Sequence, residues 1–363
     1  MVLEVTCVKR LPAALAVAGS PLTCNFDFYA RYATSRTELF WAVAEEHGAP
    51  LGAVPVVRLT RRPATEVLRA EVRRWLGWLG PLARKTTLLV DTSFWAYDDR
   101  SPWLCRDASA LAEVRRAIVG GLQAMRGVDA VWITEPAAST GWGAAAGFLQ
   151  FATLPMVHVA TGGCANWQEF VERQPKKRRR NLRAEHDRFA AAGGSIEVHQ
   201  GPLDAQGVLT AELLACLSKS AERSELTVPY NDVLVHPAAF AAQSQIILAA
   251  RAGGRLAGFM SFLQSGRRLM QCHGGLDYDV SHEVLAYHNL IAAAIGLAIE
   301  RGCEVLSMGP LNNETKRRAG TDFRPMVANL WNRNPVDRWA AARFFARNFQ
   351  VYRGPFPEAE TPR

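Results

Sequence analysis

The chain has 363 residues, 49% of them hydrophobic and 21% charged, with a formal net charge of +8. That length exceeds one ordinary core and sets the expectation at two domains, and the composition excludes disordered and fibrous classes. No apolar run reaches the roughly 18 residues of a spanning helix, and the seven cysteines, odd in number and without a C-x-x-C pair, argue against a disulfide framework or a structural zinc site.

The first twenty residues hold a short apolar patch after Lys9 and Arg10. Acid and Cys7 precede the cations and the patch is Ala-rich and brief. It reads as a first strand and helix start, not a secretion signal, and a cytoplasmic protein is expected. "FWAVAEEHGAPLGAVPVVRLT" (40–60) alternates apolar residues around Gly48, a hairpin pattern. "RRPATEVLRAEVRRWLGWLGPLAR" then predicts an additional helix carrying Trp75 and Trp78. A strand follows at 86–97, then an amphipathic helix closed by Arg126-Gly127 and a buried-looking strand ending at Pro136.

"PKKRRRNLRAEHDRF" (175–189) predicts a helix opened by Pro175, with five consecutive cations, Lys176 to Arg180, at its N-terminal end. The helix dipole disfavours cations there, by roughly 0.3–1 kcal/mol per charge. A solvated basic face, a nuclear address and an anion site are the three readings. An anion site would use the free N–H groups of the helix end as well as the side chains.

After this helix the first pattern returns. "IILAARAGGRLAGFMSFLQSG" (246–266) repeats the hairpin, "RLMQCHGGLDYD" (268–279) the strand, and "VLAYHNLIAAAIGLAIERGCEVLSMGP" (284–310) the helix, Gly and strand. The tails "FATLPMVHV" (151–159) and "DFRPMVANL" (322–330) echo each other too.

Hairpin, strand, helix, strand and a final pair is the order of an acyl-CoA N-acyltransferase fold. Over roughly residues 35 to 350 the chain resembles the Fem-type peptidoglycan-bridge aminoacyltransferases and their relatives, the tandem GNAT-like proteins. The likeness is greatest in "LAYHNLIAAAIGLAIERGCEVLSMGPLNNETKRRAGTDFRP", with its helix, Gly, strand and a Lys shortly before a Gly. The resemblance implies an α/β protein with mixed sheets: two tandem GNAT-like domains, residues 1–165 and 166–363, with an interdomain cleft beside the basic helix.

An acyl-CoA enzyme of this fold carries a glycine-rich loop, roughly R-x-x-G-x-G/A, that cradles pyrophosphate. "WAYDDRSPWLCRDASA" and "LDYDVSHEVLAYHN" stand at that place and lack the glycines; the second carries Asp277, Asp279 and Glu283. The absence favours aminoacyl-tRNA, the donor of the Fem-type enzymes, with acyl-CoA as the alternative and no cofactor or metal. Charged tRNA and a small-molecule or peptide amine are the expected partners.

Amide formation needs an aimed amine and a donor for the developing oxyanion. Lys316, in the loop after the strand ending at Met308, is the first candidate, against a surface lysine beside Arg317 and Arg318. His273, before Gly274-Gly275, and Asp277 are candidates in the strand that a GNAT fold splays open. Tyr278 lies in the same region, Tyr287 and His288 on the following helix, and Tyr230 with Asn231 in a polar loop; Arg179 and Arg180 represent the basic run. No nucleophile elbow, Walker A loop or metal motif is present. A binding module without catalysis, holding nucleic acid or an anionic glycan, is the rival class.

Overall fold

In this computed structural model the described residues are 3–15, 37–63, 84–91, 100–137, 142–152, 155–223, 237–241, 244–309, 315–316 and 322–348. Trp75, Trp78, Tyr230 and Asn231 lie outside them.

The first half begins with β1 (Glu4–Val8), β2 (Thr37–Glu46), β3 (Ala49–Pro63), β4 (Arg84–Asp91) and β5 (Leu104–Cys105). The expected β2–β3 hairpin turns at His47-Gly48, both at positive φ (49° and 80°), as a tight hairpin turn requires. Helix α1 (Leu111–Ala124), β6 (Ala130–Pro136), α2 (Trp142–Ala145), β7 (Leu149–Ala152) and β8 (Met156–Ala160) follow. A linking pair of helices, α3 (Trp167–Glu172) and α4 (Lys176–Ala191), leads to β9 (Ser195–Gln200) and α5 (Val208–Arg223). The second half continues with β10 (Gln245–Ala252), β11 (Arg255–Ser265), β12 (Arg268–Leu276), α6 (Tyr278–Val284), α7 (Ala286–Glu300), β13 (Val305–Ser307), β14 (Asp322–Arg324), β15 (Met326–Asn332) and α8 (Pro335–Asn348).

Two mixed sheets result. The first has the order β1-β2-β3-β4-β6-β15-β7, with β5 on β3; the second has β14-β8-β13-β12-β11-β10-β9. The tails are therefore exchanged. β7 stays in the first sheet while β8 enters the second between β14 and β13; β14 stays in the second while β15 enters the first between β6 and β7. Pro155 and Pro325 stand at the two crossings.

Strand alternation sorts the apolar side chains into three layers. Phe40, Ala42, Val54 and Val56 pack under α1, on Val114, Ile118 and Leu122. Leu248, Met260, Phe262 and Leu269 pack under α7 and under Leu182 and Phe189 of α4. The third layer joins the sheets: Leu39, Trp41, Val43 and Val57 of the first meet Phe259, Leu263, Met270 and Cys272 of the second, with Leu213, Cys216 and Leu217 of α5 among them.

A buried polar knot fixes the exchanged β15. The fully buried Glu135 carboxylate accepts from Trp142 Nε1 at 2.6 Å, Trp103 Nε1 at 3.3 Å and Asn329 Nδ2 of β15 at 3.3 Å. Arg115 lies 3.6 Å away and over both indole rings. Burial raises the Glu135 carboxyl, against the pull of Arg115 and the three donors.

Candidate active site

The two halves differ where β-strands run in parallel. In the first, β4 is paired with β6 to its last residue, Asp91 against Thr134. In the second, β12 and β13 pair only from Arg268–Val305 to Met270–Ser307. β12 then runs on to Leu276 while β13 has ended, so the sheet opens beyond Met270. Strand ends of this kind present backbone and side chains to a ligand.

Lys316 lies at this opening. It is 3% exposed, and its Nζ donates to the carbonyls of Met308 and Gly309, each at 2.6 Å. These carbonyls directly follow β13. Burial lowers its amine to about 7, while the two carbonyl bonds favour the ammonium form. His273, on the open stretch of β12, is also 3% exposed. It is paired in register with Ser261, whose Oγ lies 3.4 Å from His273 Nδ1, and its ring stands 6.3 Å from that of Phe240. Burial lowers its imidazole to about 4.

Asp277 ends the opening. Its side chain caps α6 by accepting from the Asp279 amide at 3.2 Å. Lys219 of α5 donates to it at 2.7 Å and to Asp279 at 3.1 Å, and Arg255 pairs with its other oxygen at 3.2 Å. Desolvation raises its pKa, but the Lys219 bond, the amide and the two cations hold it below the ordinary carboxylate value. The helix expected from residue 284 forms as α7; ahead of it, where the strand was expected to run to residue 279, stands the short α6, and the two meet at 71° across Leu285, a left-handed residue (φ 56°). A left-handed non-glycine costs roughly 1–2 kcal/mol, stored beside the opening. α5 is drawn close here because a Cβ on Gly275 would lie 2.7 Å from the Cys216 backbone. Ser220 of α5 accepts the Leu276 amide at 2.9 Å.

The remaining candidates lie apart from Lys316 and His273. Tyr278 sits on α6 with its ring 5.6 Å from His282. Tyr287 packs into the layer under α7, on the other face of the sheet from His273. His288 faces Glu185 of α4 at 4.0 Å. The basic helix forms as expected over Lys176–Ala191. Arg179 donates to the Glu172 carbonyl at 2.9 Å, closing α3, and Arg178 donates to Gln174 at 3.1 Å. Lys176, Lys177, Arg180 and Arg183 are exposed.

Sequence reasoning passed over Lys219, Arg255 and Arg100. Arg100 comes from the first half and its guanidinium reaches the Met270 sulfur at 3.5 Å, where the strands part. It also passed over His158 and Ser307, which oppose each other in β8 and β13. A polar residue at the inward position of the apolar run "MVHVA" was the available signal for His158. Among the described residues, no group of three metal-ligating side chains exists, and no single helix is long and apolar enough to cross a membrane.

Residues 176–317 match the family model for an acetyltransferase (GNAT) domain. No curated protein matches the chain. Among solved structures, the chain is similar to FemX (TM-score 0.53, 9% identity, covering 83% of this chain and 90% of that one). It is similar to L-PGS from Bacillus licheniformis (TM-score 0.52, 13% identity, 87% and 90%). It also resembles the C-terminal domain of a protein described as a lysylphosphatidylglycerol synthetase from Agrobacterium fabrum (TM-score 0.50, 12% identity, 90% and 91%). At these identities the likeness is one of fold. The matched residues contribute strands to the second sheet, the one opened between its parallel strands. The domain match supports an N-acyltransferase in general terms, and the solved structures support the two-sheet fold.

Proposed function

We propose that the chain forms an amide on an amine of a small-molecule or peptide acceptor, with aminoacyl-tRNA as the acyl donor. The observation that carries the donor choice is the N-terminus of α6. A CoA pyrophosphate would need the free amides of that helix end. Here Asp277 takes the Asp279 amide with its own carboxylate, and Asp279 stands beside it. A pyrophosphate would meet two carboxylates, even with Lys219 and Arg255 partly neutralising them. The exposed cations of α4 supply a surface for a nucleic-acid backbone instead.

In this reading the donor ester lies at the opening beyond Met270 and the acceptor amine attacks its carbonyl. The Lys316 ammonium carries three N–H groups, two of them aimed at Met308 and Gly309. We assign the third to the oxygen that becomes negative as the tetrahedral intermediate forms. In a buried site such a donor acts with little screening. Asp277 and His273 line the β12 side of the same opening, and Tyr278 follows on α6; Arg180 belongs to the tRNA-facing surface.

The match to an acetyltransferase domain supports a second reading, acyl-CoA as donor. Binding separates them. Under the tRNA reading, charged tRNA raises the unfolding temperature and its affinity falls steeply with salt, because phosphate contacts release counterions. Micromolar protection by CoA with none by tRNA would reverse the choice.

A further inference from the structure

The strand exchange does more than join the halves. It brings β8 against β13 and β14, and the register opposes His158 to Ser307 on one side and to Asp322 on the other. Opposed residues point to the same face of a sheet. That face is the one turned toward the first sheet, because Ser307 also pairs with Met270, a member of the layer joining the sheets. Directly opposed side chains have Cβ atoms roughly 4.5–5.5 Å apart. Asp322, His158 and Ser307 thus form one row across three neighbouring strands, and the row ends at the strand bordering the opening.

Two members of the row are buried polar side chains, and the third, Asp322, is exposed on the edge strand of the sheet. Ser307 is 0% and His158 3% exposed, while their neighbours along the two strands, Val157, Val159 and Leu306, are apolar core. The position also matches an unmet need. An acceptor amine becomes an ammonium on attack and must lose a proton, yet Asp277 is already engaged by two cations and Lys316 is directed at two carbonyls.

We propose that Ser307, His158 and Asp322 are a proton relay for the acyl transfer, an inference that rests on the acyltransferase reading. The amine nitrogen forms its bond to the donor carbonyl carbon. Its surplus proton passes to Ser307 Oγ as the Ser307 hydroxyl proton passes to His158. The imidazolium so formed faces the Asp322 carboxylate across the strand pair. When the carbon–oxygen bond of the donor ester breaks, the leaving oxygen takes the proton back along the row, so the relay ends as it began. The other charged groups around the row are Arg178, whose field reaches Asp322, Arg100 at Met270, and Lys316 beyond the end of β13. The buried His273 shares the face of Met270.

The test uses the full chain, a pool of charged tRNAs and of acyl-CoAs, and a panel of primary amines, with amide product scored by mass. Ser307→Ala and His158→Gln are expected to lower kcat roughly 10²–10³-fold with KM changed less than about threefold. Added imidazole is expected to restore part of the rate of His158→Gly, which a packing role would not do. Thermal unfolding identifies any variant that fails to fold, and Ser307→Ala, the smallest change, then carries the comparison. An active wild type whose folded Ser307→Ala and His158→Gln variants keep their kcat overturns the relay alone. A wild type inert toward every donor overturns the acyltransferase reading and the relay with it.

Discussion

Burial moves the His273 imidazole from the ordinary 6.5 down to about 4, and this shift is a statement about stability. As pH falls through 6.5 the unfolded chain takes up a proton that the native chain refuses until about 4. Native stability is therefore full above the upper value and declines between the two, by roughly 3 kcal/mol. His273→Phe is expected to flatten that part of the acid limb in urea unfolding at a series of pH values; an unchanged slope would assign it to other groups. Lys316→Ala addresses chemistry. Because its proposed partner is charge that develops only in the transition state, the variant is expected to lose roughly 10–10³-fold in kcat with little change in KM, measured by steady-state kinetics. Lys316 was legible in the sequence as a lysine after a strand and before a glycine. His158 was not, because its neighbours Ser307 and Asp322 are about 150 and 164 residues away and only strand register brings them together.

The hairpins, the basic helix, and the helix–Gly–strand units were readable because each obeys a local rule of period or turn chemistry. The turn at Leu285 between α6 and α7 was not, since a left-handed leucine runs against its own backbone preference. The basic run also changes meaning with the structure in view. Arg179 closes α3 and Arg178 is bonded to Gln174, so part of the charge has a local explanation. The exposed Lys177 and Arg180 do not share it. Replacing both with Gln is expected to leave unfolding free energy within about 1 kcal/mol of wild type, because like-charge repulsion is relieved. It is also expected to make the slope of log affinity for tRNA against log salt shallower, by about one for each phosphate that the variant no longer neutralises. An unchanged slope would make α4 a solvated face. For the exchanged β15, Asn329→Ala removes an amide that serves both Glu135 and the Ile133 carbonyl. Chemical denaturation is expected to show a loss of about 1–3 kcal/mol.

Two similar halves were visible as a repeat, but the repeat could not show that they trade strands. "MVHVA" and "MVANLWN" carry the same inward-outward pattern whichever sheet receives them. The exchange and the shared layer around Trp41 and Phe259 make each half incomplete. Residues 1–165 and 166–363, expressed separately, are expected to lack cooperative unfolding and to regain it on co-expression; two independently folded halves would contradict this. The same exchange lets the first half supply β8, and Arg100 at Met270, to an opening that belongs to the second. The central claim is that this opening joins an aminoacyl group to an amine. The most direct measurement is the mass of products after incubation of the chain with charged tRNAs or acyl-CoAs and an amine panel. The account predicts new amides carrying an amino acid, formed from charged tRNA and greatly diminished in the Lys316→Ala variant. Amides formed only from acyl-CoA would contradict the donor assignment, and no amide from either donor would leave a binding module in place of an enzyme.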